Sequence, residues 1–153
     1  MNIDYFRAAE REISSLPLLK RSLPILKKRL DRLIAAGAPR EPGGIDFSKP
    51  YVDSHHVNDT LADLCSVAET QKEINSTDAK IREIEYILES IPEDQRTVLK
   101  LFYIDKLSAE KIAERIYVES EKTVYNLRNK GIATYSVLYY GALASGSNNG
   151  GKK

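Results

Sequence analysis

The sequence has a single cysteine among its 153 residues and no long apolar run. Because Cys65 is alone, no internal disulfide can form, and one thiol near His55 and His56 falls short of a zinc ligand set. The stretch MNIDYFRAAEREISS is charged throughout and lacks the apolar segment of a signal peptide or a membrane span. These absences favour a protein of a reducing compartment, and we expect it in the cytoplasm, away from membranes.

The sequence also lacks the features of an enzyme. Its serine and acidic residues place no nucleophile beside a base, and no glycine-rich phosphate-binding loop occurs. The pair His55–His56 forms no spaced metal-ligand motif with Cys65, because adjacent histidines on a helix point to different sides. We therefore predict a protein that is not an enzyme and that has no metal site and no cofactor.

Charge is unevenly distributed along a chain whose formal net charge is +1. Residues 1–40 carry 9 basic against 4 acidic side chains, residues 41–90 carry 4 against 11, and residues 91–153 carry 10 against 7. Basic ends favour contact with phosphates, because lysines and arginines that neutralise phosphates release counterions. An acidic middle helix that lies against the basic N-terminal helix explains the N-terminal charges equally well.

Six leucines line one face of a predicted N-terminal helix, at alternating spacings of three and four residues. They are Leu16, Leu19, Leu23, Leu26, Leu30 and Leu33. Pro17 suits a helix start after Ser15, whereas Pro24 predicts a kink or a restart near Ser22. The uninterrupted helix should therefore run from Pro24 to residue 36.

A linker and a second long helix are predicted next. Glycine and proline recur from residue 37, which is typical of a loop. A helix capped by Asp53 or Ser54 should then place apolar residues at helical spacing from Leu61 to Leu88. The two long helices can pair as a hairpin, or the second can dimerise.

The predicted organisation is basic helices at 1–36, a linker at 37–52, an acidic helix at 53–90, a C-terminal domain at 91–141 and a disordered tail at 142–153.

Residues 91–141 predict three helices that end in a helix-turn-helix. Pro92 suits the first turn of the first helix, and Ser108 and Ser120 can cap the second and third helices. The small Ala113 lets the last two helices cross closely, and Val118 in the turn fills the core. The predicted inward residues are Val98, Leu99, Phe102, Tyr103, Ile112, Ala113, Ile116, Val124 and Leu127.

The outward face of the third helix, residues 120–134, suits the DNA major groove. Asparagine pairs with adenine, lysine or arginine with guanine, and glutamate with the cytosine amine, while tyrosine and threonine contact phosphate or a thymine methyl. The predicted DNA-binding residues are Ser120, Glu121, Lys122, Thr123, Tyr125, Asn126, Arg128, Asn129 and Lys130. We expect Lys122 and Asn126 to read bases, and Arg128 and Lys130 to contact phosphates. The alternative is the solvated end of a helical bundle.

This segment resembles region four of sigma-70-type factors. The shared pattern is a Leu/Ile-Pro start at Ile91-Pro92, an apolar first helix that ends in an aromatic residue at 98–103, and the run LSAEKIAE at 107–114. The turn from Ile116 to Thr123 is one residue longer than the family spacing. Gly131 replaces a frequent alanine, which weakens a helix by about 1 kcal/mol.

The whole chain is similar in layout to small phage and prophage proteins of the RinA/ArpU type. That resemblance implies an all-α transcription regulator in the cytoplasm of a bacterial host, which binds double-stranded DNA and activates late genes. Region-four domains also bind RNA polymerase, so the same face can instead serve a protein-interaction module without base readout. A small terminase subunit is a further alternative, although such proteins usually place the DNA-binding motif first.

Self-association is the remaining expectation. The leucine stripe of the first helix and the stripe from Leu61 to Leu88 offer more apolar surface than lone helices can leave in water, which predicts a homodimer. Tyr135, Tyr139 and Tyr140 could form a second dimer seam. An intramolecular hairpin that hides both stripes predicts a monomer.

Overall fold

The computed structural model describes residues 3–37 and 54–146, with side chains in the second range from residue 61 onward. All regular structure in these ranges is helical, which confirms the predicted all-α class. The helices are α1 (Tyr5–Gly37), α2 (Ser54–Glu89), α3 (Glu93–Leu99), α4 (Ala109–Arg115), α5 (Glu121–Tyr140) and α6 (Ala142–Ser145), and a π-helical segment (Lys100–Ile104) continues α3. None of these helices is both long and apolar enough to cross a membrane.

α1 continues through both of its prolines. The restart expected near Ser22 does not occur, and the helix begins at Tyr5 rather than at Pro24. A proline inside a helix removes one backbone hydrogen bond and costs about 3 kcal/mol, so other interactions must offset it. Leu16, which precedes Pro17, is buried, and Leu23 and Leu26 on either side of Pro24 are half-buried. Packing of such an apolar face contributes more to helix stability than local propensity does.

The chain divides into two compact units. The larger comprises Met1–Leu19 with Lys80–Lys153, and the smaller comprises Lys20–Ala79. The divisions therefore fall inside α1 and α2 rather than at the predicted domain boundaries. The first turns of α1 belong to the same unit as the C-terminal helices, which are far away in sequence.

The core of the larger unit takes one apolar stripe from each of five helices. The buried side chains are Ala9, Ile13 and Leu16 of α1, Ile81, Ile84, Ile87 and Leu88 of α2, Val98 and Leu99 of α3, Ala109, Ile112 and Ala113 of α4, and Val124, Ile132 and Tyr135 of α5. Spacings of three and four residues keep each stripe on one helix face. The start of α1 is thus part of the core.

Polar contacts also tie α1 into the larger unit. Lys80 Nζ lies 2.8 Å from Glu12 Oε2, donates to the Tyr139 hydroxyl and stands 4.5 Å from the centre of the Tyr139 ring. Partial burial acts to lower the pKa of Lys80, but its bonds to Glu12 and Tyr139 outweigh burial and raise that pKa, so Lys80 stays a cation. The Tyr103 hydroxyl donates to Glu10 Oε1 at 2.8 Å.

The tyrosines near the end of α5 pack inside the chain. Tyr135 is fully buried, and its ring stacks on Tyr139 with 6.0 Å between centroids. Tyr140 packs on Tyr5 of α1, with 5.1 Å between their centroids. Because Tyr135 has no exposed surface, it cannot take part in the dimer seam considered from the sequence.

The chain after α5 forms one more helical turn. Gly141, with a φ of 68°, leads from α5 into α6, where Ala144 is fully buried. The disorder expected for 142–153 is therefore wrong for residues 142–145, because Ala144 reaches the core. Residues 147–153 of that predicted tail lie outside the described part of the chain, as do residues 38–53, which include most of the predicted linker.

In the smaller unit, α1 and α2 lie side by side. Both line a cavity of about 340 Å³ formed by Leu26, Arg29, Glu69, Thr70, Lys72 and Glu73. Leu23, Leu30 and Leu33 are half-buried. The two helices therefore approach each other at this cavity, while Leu61 and Leu64 of α2 are exposed at 56% and 59%.

α5 approaches α3 closely at Gly131. A Cβ added to Gly131 would lie 2.8 Å from Leu99 Cδ1 and 2.9 Å from Leu99 Cγ, well inside normal carbon contact distances. Both residues are buried, so the leucine has little room to move. The glycine that weakens α5 as an isolated helix is thus what permits its packing on α3.

Replacing Gly131 with alanine should destabilise the protein. Overpacking a core costs about 1–3 kcal/mol, against about 1 kcal/mol gained in helix propensity, so the free energy of unfolding should fall by about 1 kcal/mol. Urea unfolding followed by circular dichroism measures the change. Gly37→Ala is the control, because a Cβ there meets no atom within 4 Å. Equal midpoints for Gly131→Ala and the wild type would contradict the packing role.

Candidate nucleic-acid interface

Serine side chains cap α4 and α5 as the sequence predicted. The Ser108 hydroxyl accepts a hydrogen bond from the Lys111 amide at 3.4 Å, and the Ser120 hydroxyl accepts one from the Lys122 amide at 3.1 Å. The Thr123 amide instead donates to the Ser120 carbonyl, also at 3.1 Å. A cap satisfies amides that have no partner inside the helix, so these two serines set where α4 and α5 begin.

The turn between α4 and α5 contains a residue in the left-handed conformation. Tyr117 has a φ of 59°, and its side chain is 95% exposed. The next residue turns back into the protein: the Val118 amide donates to the Ala113 carbonyl at 3.0 Å, and the half-buried Val118 side chain packs on the core. The left-handed conformation costs an L-residue about 1–2 kcal/mol, and glycine is frequent in such turns.

An apolar cluster holds α4 and α5 against the end of α3. Its buried members are Val98, Leu101, Ala109, Ile112, Ala113 and Val124, with Phe102, Leu107, Ile116, Val118 and Leu127 packed against it. The inward residues predicted for α4 and α5 are confirmed. Val124 on the cluster and Gly131 on α3 fix the rotation of α5 about its axis, and so decide which side chains face outward.

All nine predicted DNA-binding residues lie at the cap and in the first three turns of α5. Those exposed to solvent are Ser120, Glu121, Lys122, Thr123, Tyr125, Asn126, Asn129 and Lys130. Lys122, Asn126 and Asn129 follow one another at spacings of four and three residues, which places them on one line of the helix, opposite the buried Val124 and Gly131. We call these three residues the polar stripe.

Arg128 is half-buried, unlike the other eight predicted residues. Its guanidinium lies 4.9 Å from the centre of the Phe102 ring and 5.0 Å from that of Tyr125. Its Nε and one Nη donate to Asn129 Oδ1 at 3.2 and 3.1 Å. Arg128 is therefore held along the surface of α5, and it orients Asn129 so that the amide N–H groups remain to donate outward.

Phe102 contributes to this surface in a way that the sequence did not predict. Its spacing predicted a core position, yet it is half-buried and one ring face stacks on Arg128. It lies in the π-helical segment, where the Asp105 amide donates to the Lys100 carbonyl at 3.0 Å. The sequence did indicate an aromatic residue at the end of the first helix. It could not indicate the contact with Arg128, which lies 26 residues further along the chain.

Charge on this surface is mixed. Residues 108–130 contain five basic and four acidic side chains. Glu110, Glu114, Glu119 and Glu121 are all exposed among the exposed basic residues Lys111, Arg115, Lys122 and Lys130. The surface therefore presents specific hydrogen-bonding groups rather than a strong positive field.

The protein is thus all-helical in its described part, and the candidate surface lies on α4 and α5, the two helices that serine side chains cap. Residues 53–136 match the model of a family described as a protein of unknown function (DUF1492), and since this is more than half of the chain, the chain belongs to that family. The match covers α2 to α4 and most of α5. No curated protein and no solved structure gives a match.

Replacing Tyr117 with glycine should stabilise the protein. Glycine removes the strain of the left-handed conformation, about 1–2 kcal/mol, at an entropic cost of about 0.5–1 kcal/mol, so a gain of about 0.5–1 kcal/mol should remain. Thermal and urea unfolding measure it. Tyr117→Ala keeps the Cβ and loses the ring, and should give no gain. If both variants stabilise equally, the exposed ring rather than the backbone is the source of the strain.

Proposed function

We propose that this chain is a sequence-specific DNA-binding transcription regulator of a phage or prophage, and an activator of late genes. The observation that supports DNA binding is the polar stripe, displayed at the start of a capped helix whose rotation is set by buried contacts. In helix-turn-helix proteins the start of the second helix enters the major groove. The late-gene role rests on the resemblance to RinA/ArpU-type proteins.

The polar stripe offers a distinct chemistry at each position. Lys122 can donate to guanine, and Asn126 can both donate to and accept from adenine. Because Arg128 occupies Asn129 Oδ1, Asn129 acts in this proposal as a donor, toward a purine N7, a carbonyl oxygen or a phosphate. Lys130 lies beside the stripe and contacts a phosphate of the same groove.

One observation favours a second function for the same surface, as an interaction module that binds RNA polymerase without base readout. The ring of Tyr117 is almost wholly exposed beside the start of α5, and exposed aromatic rings are enriched at protein interfaces. The near balance of charge over residues 108–130 also suits a protein partner. Nothing observed favours a small terminase subunit, whose DNA-binding motif usually comes first.

Alanine substitutions in the polar stripe test DNA reading directly. A preferred duplex is first selected from a random pool with the full chain, and affinities are then measured by fluorescence anisotropy at fixed salt. Asn126→Ala and Lys122→Ala should each cost about 1–3 kcal/mol on that duplex and relax the preference at one base pair only.

Asn75→Ala serves as the control, because it removes an exposed asparagine from α2 rather than from α5. It should leave affinity and preference unchanged. A uniform loss over all duplexes would make Asn126 and Lys122 phosphate contacts. Unchanged affinity in both variants would refute base reading by α5, and binding of polymerase in its place would support the interaction module.

The proposed regulator acts as a homodimer through the exposed apolar residues of the smaller unit. Leu61 and Leu64 of α2 form such a pair, one helical turn apart. Two-fold DNA sites would follow, with half-sites one helical turn or a multiple apart.

Sedimentation velocity at micromolar concentration tests the dimer. The wild type should sediment as a dimer, and Leu61→Lys with Leu64→Lys should sediment as a monomer, because two buried charges at an apolar interface are costly. Leu143→Lys, a similarly exposed leucine on α6, should leave the dimer intact. A monomeric wild type would refute the dimer and leave the long helices as a docking arm for polymerase.

A further inference from the structure

We propose that the outward face of α1 in the smaller unit binds the phosphate backbone of double-stranded DNA. The contact residues are Arg21, Lys28 and Arg32, which we call the basic row. The inference rests on the proposed DNA-binding function and extends it, because it adds a second contact surface outside α5 that carries affinity without base preference.

The basic row is a geometric feature of α1. Arg21, Lys28 and Arg32 follow one another at spacings of seven and four residues, so they stand on one line of the helix. All three are exposed, whereas the leucine stripe on the other side, Leu23 to Leu33, is half-buried toward α2. Asp31 is the only acidic residue between positions 20 and 32.

The basic row is not neutralised within the described part of the chain. None of its three side chains takes part in an ion pair there. Cations of the larger unit behave differently: Lys80 pairs with Glu12, and Lys100 reaches Glu89 at 2.7 Å. The acidic residues of α2 therefore do not explain the charges of the basic row, which was the alternative that the sequence left open.

A DNA backbone matches the dimensions of the basic row. Arg21 and Arg32 are eleven residues apart, which is about 17 Å along a helix. Phosphates of one DNA strand advance about 3.4 Å along the duplex axis while they turn around it, so the three cations of the basic row can each meet a separate phosphate. Ile25 of α1 is exposed at 61%, one helical turn from Arg21, so binding of the full chain to vesicles of anionic lipid without binding to duplex DNA would overturn the inference.

Salt dependence of DNA binding by the full chain tests the inference. Each neutralised phosphate contributes about 0.9 to the slope of log affinity against log salt. Lys28→Gln with Arg32→Gln keeps the aliphatic stems and removes two charges, so the slope should flatten by about 1.8. Between 50 and 200 mM salt, wild-type affinity should therefore fall about 12-fold more than that of the double variant. Base preference should not change.

The matched control is Arg11→Gln with Lys72→Gln, which removes one arginine and one lysine from exposed positions outside the basic row. Its slope should equal that of the wild type. An equal flattening in both double variants would show an effect of net charge alone and would overturn the inference. Equal urea midpoints establish that the variants remain folded.

Lys130→Gln separates this inference from the proposed function. If the wild type binds duplex DNA and Lys130→Gln flattens the slope, but the basic-row variant matches its control, the basic row is refuted and DNA binding by α5 stands. If the wild type binds no duplex even at 50 mM salt, the proposed function itself fails. The inference about the basic row would be lost with it.

Discussion

α5 can approach α3 closely because Gly131 has no side chain. A Cβ added there would lie less than 3 Å from the buried Leu99. Val124, seven residues earlier on the same side of α5, is buried in the apolar cluster. Two buried points along one helix face fix the rotation of α5. The polar stripe faces outward as a consequence, so the proposed interface depends on a contact made on the opposite side of the helix.

The start of α1 has a structural role that its charge pattern conceals. Ala9, Ile13 and Leu16 are buried in the larger unit, and Glu12 pairs with Lys80 there. Removing a partner from such a half-buried ion pair leaves a charge poorly solvated. The helix pair that carries the proposed interface therefore belongs to a unit that also includes the first turns of α1.

The two proposed DNA contacts differ in what they supply. Side chains of the polar stripe carry donors and acceptors that distinguish base edges, whereas the basic row carries charge alone. In the proposed regulator, the basic row on α1 supplies affinity, whereas the mixed charge around α5 leaves specificity to hydrogen-bonding side chains. Arg128, stacked between Phe102 and Tyr125, belongs to neither: its rigid position orients Asn129.

Local signals in the sequence were sufficient for the helix starts and for the inward residues of α4 and α5. Ser108 and Ser120 cap amides two or three residues away, so neighbouring residues decide these helix ends. The spacing of apolar residues likewise predicted the buried faces of α4 and α5, because side chains three or four residues apart lie on the same face of a helix. Other features depend on residues that are far apart in sequence. Arg128 contacts Phe102, 26 positions away, and Gly131 packs against Leu99, 32 positions away. The continuity of α1 through its prolines also depends on packing against distant residues. Only the tertiary structure decides these features, because spacing along one helix carries no information about which distant side chain lies against it.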